Sequence, residues 1–252
     1  MKITGLETLH ADAGWRNFSF LKLLTDQPGL VGWSEFNEGG GNRGQEAAIR
    51  GLLPFITGED PLAHERIHAK LFALTRQVSG GIAGQAIAAI ENALLDIKGK
   101  ALGVPVYDLF GGAVRKRIPC YWSHCGSYRA RYPELLGVPR VASYDDLSRL
   151  AEEVVRRGFG ACKTNVMIHD GKTLAAYRPG FGASKGYPEL NWSNDIVDGA
   201  FKTANAFRLG GGASLGIMMD LNFNYKTEGY LRIAQAVDRK STRLNSSHVK
   251  RS

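Results

Sequence analysis

Two short stretches combine residue types that could do chemistry: Lys163-Thr164-Asn165 and Asp220-Leu221-Asn222. Each closes an apolar, strand-like run, Gly160–Asn165 and Ile217–Asn222. Period-two alternation puts Lys163 and Asn165 on one face of the first, opposite Thr164, and Asp220 and Asn222 on one face of the second. A lysine facing an interior is costly unless an anion or a carboxylate neutralises it. An internal salt bridge meets that need as well as a bound anionic substrate does. A carboxylate at a strand end is a hard oxygen ligand suited to Mg²⁺, although a capping or ion-paired aspartate has the same sequence. The two strand ends together favour a site over either bland alternative.

Both runs belong to a repeating pattern. Ser143 can cap a helix whose Leu147, Leu150, Ala151, Val154 and Val155 form one apolar face, and Ser193 can cap another over about Asn194–Arg208. Strand-like segments at Ile118–Ser123, Ala161–Val166 and Leu215–Leu221 alternate with these helices and with a third from about Lys226. Such alternation predicts a parallel sheet, whose C-terminal strand ends are where catalytic groups gather. The stretch from His169 to Trp192, with Lys172, Arg178 and Lys185, is long enough to fold over an acidic substrate. His124, near the first strand end, reads as a packed histidine and His169 as a solvated loop histidine. The preceding residues differ in rhythm: strands Ile3–His10, Asn17–Leu24 and Gly32–Phe36 in an antiparallel meander, then helices Gln45–Phe55, Leu62–Arg76 and Gly84–Leu102.

The formal charge of +8 would suggest nucleic acid or an anionic surface as partner, but half of it lies in the last fifteen residues, DRKSTRLNSSHVKRS. Apolar periodicity through Tyr230, Leu231, Ile233, Ala234 and Val237 stops there without a turn signal. Asp238–His248 back-translates to a common short-read sequencing adapter, so residues 238–252 are expected to be an artefact and are excluded from functional reasoning. No apolar run is long enough for a membrane span, and Met1-Lys2-Ile3 enters a strand rather than a signal peptide, which gives a cytoplasmic expectation. Cys120, Cys125 and Cys162 lack the spacing of a zinc site and read as reduced thiols.

GLVGWSE at Gly29–Glu35, AIAAIENALLDIKGKALGVPVYDLFGG at Ala86–Gly112, FGACKTN at Phe159–Asn165 and MMDLNFN at Met218–Asn224 carry a further signal. On these segments residues 1–237 resemble the mandelate racemase and muconate lactonizing enzyme branch of the enolase superfamily. The resemblance implies an α/β protein with an N-terminal α+β capping domain at 1–115, then the first three β/α units of a TIM-type barrel at 116–237, incomplete in this chain. It implies Mg²⁺ and abstraction of a proton alpha to a carboxylate, with Asp220 as the first metal ligand and Lys163 as a contact to the substrate carboxylate. Asn165 stands where many members have a lysine base, and its amide cannot take a proton.

That departure favours a sugar-acid dehydratase of the galactonate type over a racemase or epimerase using this position. Asn222 falls where some dehydratases have an acid-catalyst histidine. Trp15, Arg16 and Asn17 lie in the cap loop that sets specificity in the family, and are candidate substrate contacts together with Asn222. The implied partners are a small-molecule sugar acid and further copies of the intact parent chain, with neither nucleic acid nor membrane. The remaining metal ligands and the base do not follow Asp220 here, so the 252-residue chain is expected to be inactive.

Overall fold

The computed structural model describes residues 1–39, 43–169, 171–178, 192–222 and 224–246, with side chains as far as Asp238. Contacts divide the chain into two compact units, Met1–Arg117 and Ile118–Ser252.

The first unit opens with β1 (Ile3–Asp12), β2 (Asn17–Thr25) and β3 (Val31–Phe36), an antiparallel meander in chain order, as alternation predicts. Ser19, Leu21 and Leu23 of β2 pair across from Phe36, Ser34 and Gly32 of β3, and all six are buried on one face. Three helices cover that face: α1 (Gln45–Ile56), α2 (His64–Leu74) and α3 (Gly81–Leu102). α3 begins a turn earlier than its apolar pattern suggests. Its end is fixed by Gly103 at φ 69°, where the Gly103 N–H reaches the Lys100 carbonyl (3.2 Å) and the Val104 N–H the Gly99 carbonyl (2.9 Å).

Ala86, Ala89, Ile90, Ala93, Leu94 and Ile97 on α3 enter the core with Leu21 and Leu23. Small side chains let the helix approach closely enough for direct polar ties. The Ser34 hydroxyl donates to the Ala89 carbonyl at 2.6 Å, Asp96 accepts the Trp33 N–H at 2.8 Å, and Lys100 donates to the Val31 carbonyl at 2.9 Å. Two backbone groups on the open edge of β3, the Trp33 N–H and the Val31 carbonyl, are thereby capped by α3.

The second unit contains α4 (Ser127–Arg131), α5 (Pro133–Leu136), α6 (Tyr144–Arg156), β4 (Ala161–Asn165), β5 (Met167–His169), β6 (Leu174–Ala176), α7 (Asn194–Gly211), β7 (Gly216–Asp220) and α8 (Thr227–Ser246). β4 and β7 pair in parallel, with Lys163 beside Met218 and Asn165 beside Asp220. The sequence expectation of a strand at Ile118–Ser123 is corrected: only Trp122 bridges, opposite Cys162. Its N–H reaches the Ala161 carbonyl (3.0 Å) and its carbonyl takes the Lys163 N–H (2.8 Å), while Ile118 and Tyr121 stay exposed.

Ser143 caps α6 through a reciprocal box with Asp146, and the Ser193 hydroxyl accepts the Ile196 N–H at the start of α7. Leu147, Leu150, Ala151 and Val154 are buried as their spacing predicts, but Val155 is 46% exposed and leaves the stripe. The segment after β4 is not one open loop: β5 and β6 form a short antiparallel hairpin, with Gly171 at φ 93° in its turn. Lys185 lies outside the described residues. Helical backbone continues beyond Val237 to Ser246, as a run without glycine or proline permits. Among the described side chains, Ile233 is the last that α8 buries fully.

Candidate functional site

The in-register β4–β7 pair sorts its side chains by face. Cys162, Thr164, Ile217 and Met219 turn toward the helices, and Cys162 and Thr164 are wholly buried there. Lys163, Asn165, Met218 and Asp220 take the opposite face, so the two strand ends singled out by type and spacing are adjacent. Lys163 Nζ lies 3.7 Å from Asp220 Oδ2, with the two side chains 28% and 40% exposed. At that exposure the pair contributes about 1 kcal/mol or less to stability, so its position matters more for chemistry than for folding.

The asparagines divide into different tasks. Asn165 is almost buried and its amide donates to the Asp220 carbonyl at 3.3 Å, tying the end of β4 to the end of β7. Asn222 does not continue the alternation to share a face with Asp220 within the strand. β7 ends at Asp220, and Asn222 turns into the left-handed region at φ 52°, where its N–H donates to Asp220 Oδ1 at 3.0 Å. That turn fixes the carboxylate, leaving Oδ2 toward Lys163. The Asn222 Nδ2 is buried with no acceptor among the described residues, a donor whose need a ligand could meet.

His124 joins this group from the end of the Trp122 segment, and the sequence reading set it aside as packed. It is half-buried, adopts φ 51°, and stacks on Tyr128 with centroids 4.2 Å apart. Burial lowers its pKa below the ordinary histidine value, the Lys163 charge lowers it further, and Asp220 opposes both. Tyr121 lies beside the same lysine, whose Nζ is 5.7 Å from the ring centroid. The available signal is positional: His124 follows the Trp122 bridge, beside the ends of β4 and β7. Because its folded pKa is depressed, the unfolded chain binds the proton more readily, so the stability it contributes is present above about 6.5 and is lost as pH falls below that value through the lower folded one. NMR titration of the His124 ring should give a midpoint below that value. Lys163→Met should raise the midpoint and Asp220→Asn lower it; shifts of the opposite sign would exclude this electrostatic coupling.

The other expected contacts lie in the first unit. Trp15 and Arg16 lie in the β1–β2 turn and Asn17 opens β2; the Arg16 guanidinium sits 4.3 Å from the Phe18 ring centroid and pairs with Glu35 at 3.3 Å. Trp15 meets Phe18 edge-on and Asn17 is exposed. Cys125 and Cys162 are buried and Cys120 is exposed, all as free thiols. His169 is exposed at the end of β5, and its Nδ1 accepts the Gly171 N–H.

Among the described residues no three or more His, Cys, Asp or Glu side chains gather around a point that could hold a metal. Asp220 is a single carboxylate already facing a lysine. A hard dication seeks about six oxygen ligands, so these residues alone do not compose a complete Mg²⁺ site.

Residues 10–111 match the mandelate racemase/muconate lactonizing enzyme N-terminal domain. A D-galactonate dehydratase of Xanthomonas axonopodis pv. citri is 46% identical over 121 residues, which cover 48% of this chain and 31% of that protein. A crystal structure of a proposed L-alanine-DL-glutamate epimerase from Burkholderia xenovorans superposes with a TM-score of 0.88 at 45% identity, covering 94% of this chain and 60% of that one. Residues 10–111 thus form a mandelate racemase/muconate lactonizing enzyme N-terminal domain, and the chain as a whole is similar to proteins of the enolase superfamily. A proposed dehydratase from Mesorhizobium loti, another structural neighbour, has a TM-score of 0.75 at 26% identity over 95% of this chain and 57% of its own. These likenesses agree with the fold: an α+β cap, then the opening β/α units of a barrel. The chain spans about a third of the curated relatives' length that it matches and less than two thirds of these structures.

Proposed function

We propose that this chain is the front portion of a Mg²⁺-dependent sugar-acid dehydratase, which removes a proton alpha to the substrate carboxylate and then expels water. The observation that carries the reading is the adjacency of Lys163 and Asp220 at neighbouring strand ends, 3.7 Å apart. Lys163 supplies a fixed positive charge for a substrate carboxylate and for the negative charge that grows on it as the carbon acid is deprotonated. Asp220 supplies one oxygen ligand to the metal. Magnesium, when bound, would add Lewis-acid stabilisation of that charge; a Burkholderia xenovorans relative at 45% identity was crystallised with magnesium and fumarate. Asn165 positions Asp220 and transfers no proton, whereas His124 can exchange one at an imidazole nitrogen. Asn222 and the Trp15–Asn17 turn hold polar parts of the substrate.

The domains in this reading are a cap at 1–115 and a partial barrel at 116–237, with 238–252 foreign to the enzyme. The parent is cytoplasmic and homo-oligomeric, and acts on a small acid rather than on nucleic acid or membrane. No helix among the described residues is long and apolar enough to cross a membrane. A racemase or epimerase is the second reading, favoured by the 45%-identical proposed epimerase.

Resequencing the gene across codon 238, expressing the reading frame found and assaying sugar acids with Mg²⁺ in D₂O tests both. A dehydratase yields a 2-keto-3-deoxy acid. An epimerase returns substrate carrying one deuterium and loses no water. A folded product that does neither overturns the assignment.

A further inference from the structure

A second group of cations lies away from the Lys163–Asp220 pair. Between α4 and the β5–β6 hairpin is a pocket of about 350 Å³ whose lining includes Arg131, Arg140, Arg178, Ser127, Ala130 and Leu174. The three arginines come from separate places: the end of α4, the loop after α5, and the strand exit after β6. Like charges brought to one cavity by three segments oppose folding unless something compensates them. Among the described residues the one carboxylate paired with them is Glu134, itself 79% exposed, which meets Arg140 at 2.9 Å.

Two of the guanidiniums are already held in place. Arg140 also donates to the Ala130 carbonyl at 2.7 Å, and Arg131 lies 5.0 Å from the Tyr132 ring centroid, with Tyr132 edge-on to Tyr128. Arg178 is half-buried. Leu174, 1% exposed, and Ala130, 8% exposed, supply an apolar wall against which a bound group would lose water. Oriented guanidiniums with surplus charge suit the planar or tetrahedral oxygens of an acid group, which they bind through paired N–H donors.

We infer that this pocket is a binding site for a small oxyanion, a carboxylate or phosphate group, separate from the Lys163–Asp220 site. It does not depend on the dehydratase reading. The Ser127 hydroxyl donates to the His124 carbonyl at 3.2 Å, so one wall of the pocket is bonded to the loop that presents His124.

The test titrates the 252-residue chain with inorganic phosphate and, separately, with tartrate, at ionic strength held constant with NaCl, by calorimetry. One saturable site is expected. Preference for tartrate identifies a carboxylate ligand and preference for phosphate a phosphoryl one. Arg131→Gln and Arg178→Gln should each weaken binding about tenfold. Arg156→Gln, which removes the same charge from an exposed position on α6, should change affinity less than about twofold. Lys163→Met should leave binding intact, which separates this site from the proposed catalytic one. Should a glutamine variant lose its circular dichroism, Arg178→Lys keeps the charge but not the fork and should bind with intermediate affinity. No saturable binding, equal weakening by Arg156→Gln, or loss of binding in Lys163→Met would each overturn the inference.

Discussion

Gly32→Ala is expected to destabilise the first unit by about 3 kcal/mol, the upper end of the usual cost of overpacking. A β-carbon on Gly32 would stand 2.0 Å from the Ala93 carbonyl oxygen and 2.8 Å from its carbon, both backbone atoms of α3. Neither can swing aside as a side chain could, so β3 and α3 must separate. Separation would pull apart the Ser34–Ala89, Trp33–Asp96 and Lys100–Val31 hydrogen bonds together. Gly58→Ala is the control: Gly58 has φ 82° and open space around its β-position, so only the left-handed backbone penalty of about 1 kcal/mol applies. Urea unfolding followed by the fluorescence of Trp15 and Trp33 reads this unit. Equal midpoints for the two variants would show that close approach does not limit stability here.

Lys163→Met is expected to lower kcat/KM by about 10³-fold or more in an enzyme expressed from the extended reading frame, while moving Tm very little. The two effects separate because Lys163 and Asp220 are both partly solvated, so their mutual attraction adds little to folding. The same charge acting on an enediolate in a closed site is worth several kcal/mol. Asp220→Asn should weaken Mg²⁺ binding as well as turnover, whereas Lys163→Met should spare the metal. Parallel losses of Tm and rate would mean that Lys163 serves the fold. Unchanged turnover would remove it from the mechanism.

Local pattern made some of this site legible in the sequence. Alternation placed Lys163 and Asn165 on one face, and capping residues at Ser143 and Ser193 located α6 and α7, because each depends on neighbours a few residues away. The pairing of Asn165 with Asp220 was not legible, since parallel register is set by how the intervening hairpin and α7 pack. Alternation also failed where the strand stopped: Asn222 was assigned to the face of Asp220, but a left-handed turn takes it elsewhere. Ile118–Ser123 had the composition of a strand, yet the ladder with β4 begins only at Ala161 and leaves Trp122 as the point of pairing. His124 reads from the sequence as packed, and it does stack on Tyr128; its nearness to the charges of Lys163 and Asp220 is not legible there, because only the tertiary fold brings them together.

The separation between paired strands also bears on the order of events during synthesis. β1, β2 and β3 pair with immediate neighbours, and their covering helices all lie before Arg117, so the first unit can mature while later residues are still being made. Asn165 must wait for the Asp220 carbonyl, fifty-five residues further on, and closing so long a loop is slow. Until β7 emerges, β4 has only the Trp122 segment beside it, and its other edge is open. A ribosome that pauses between the two leaves a finished cap attached to an aggregation-prone edge.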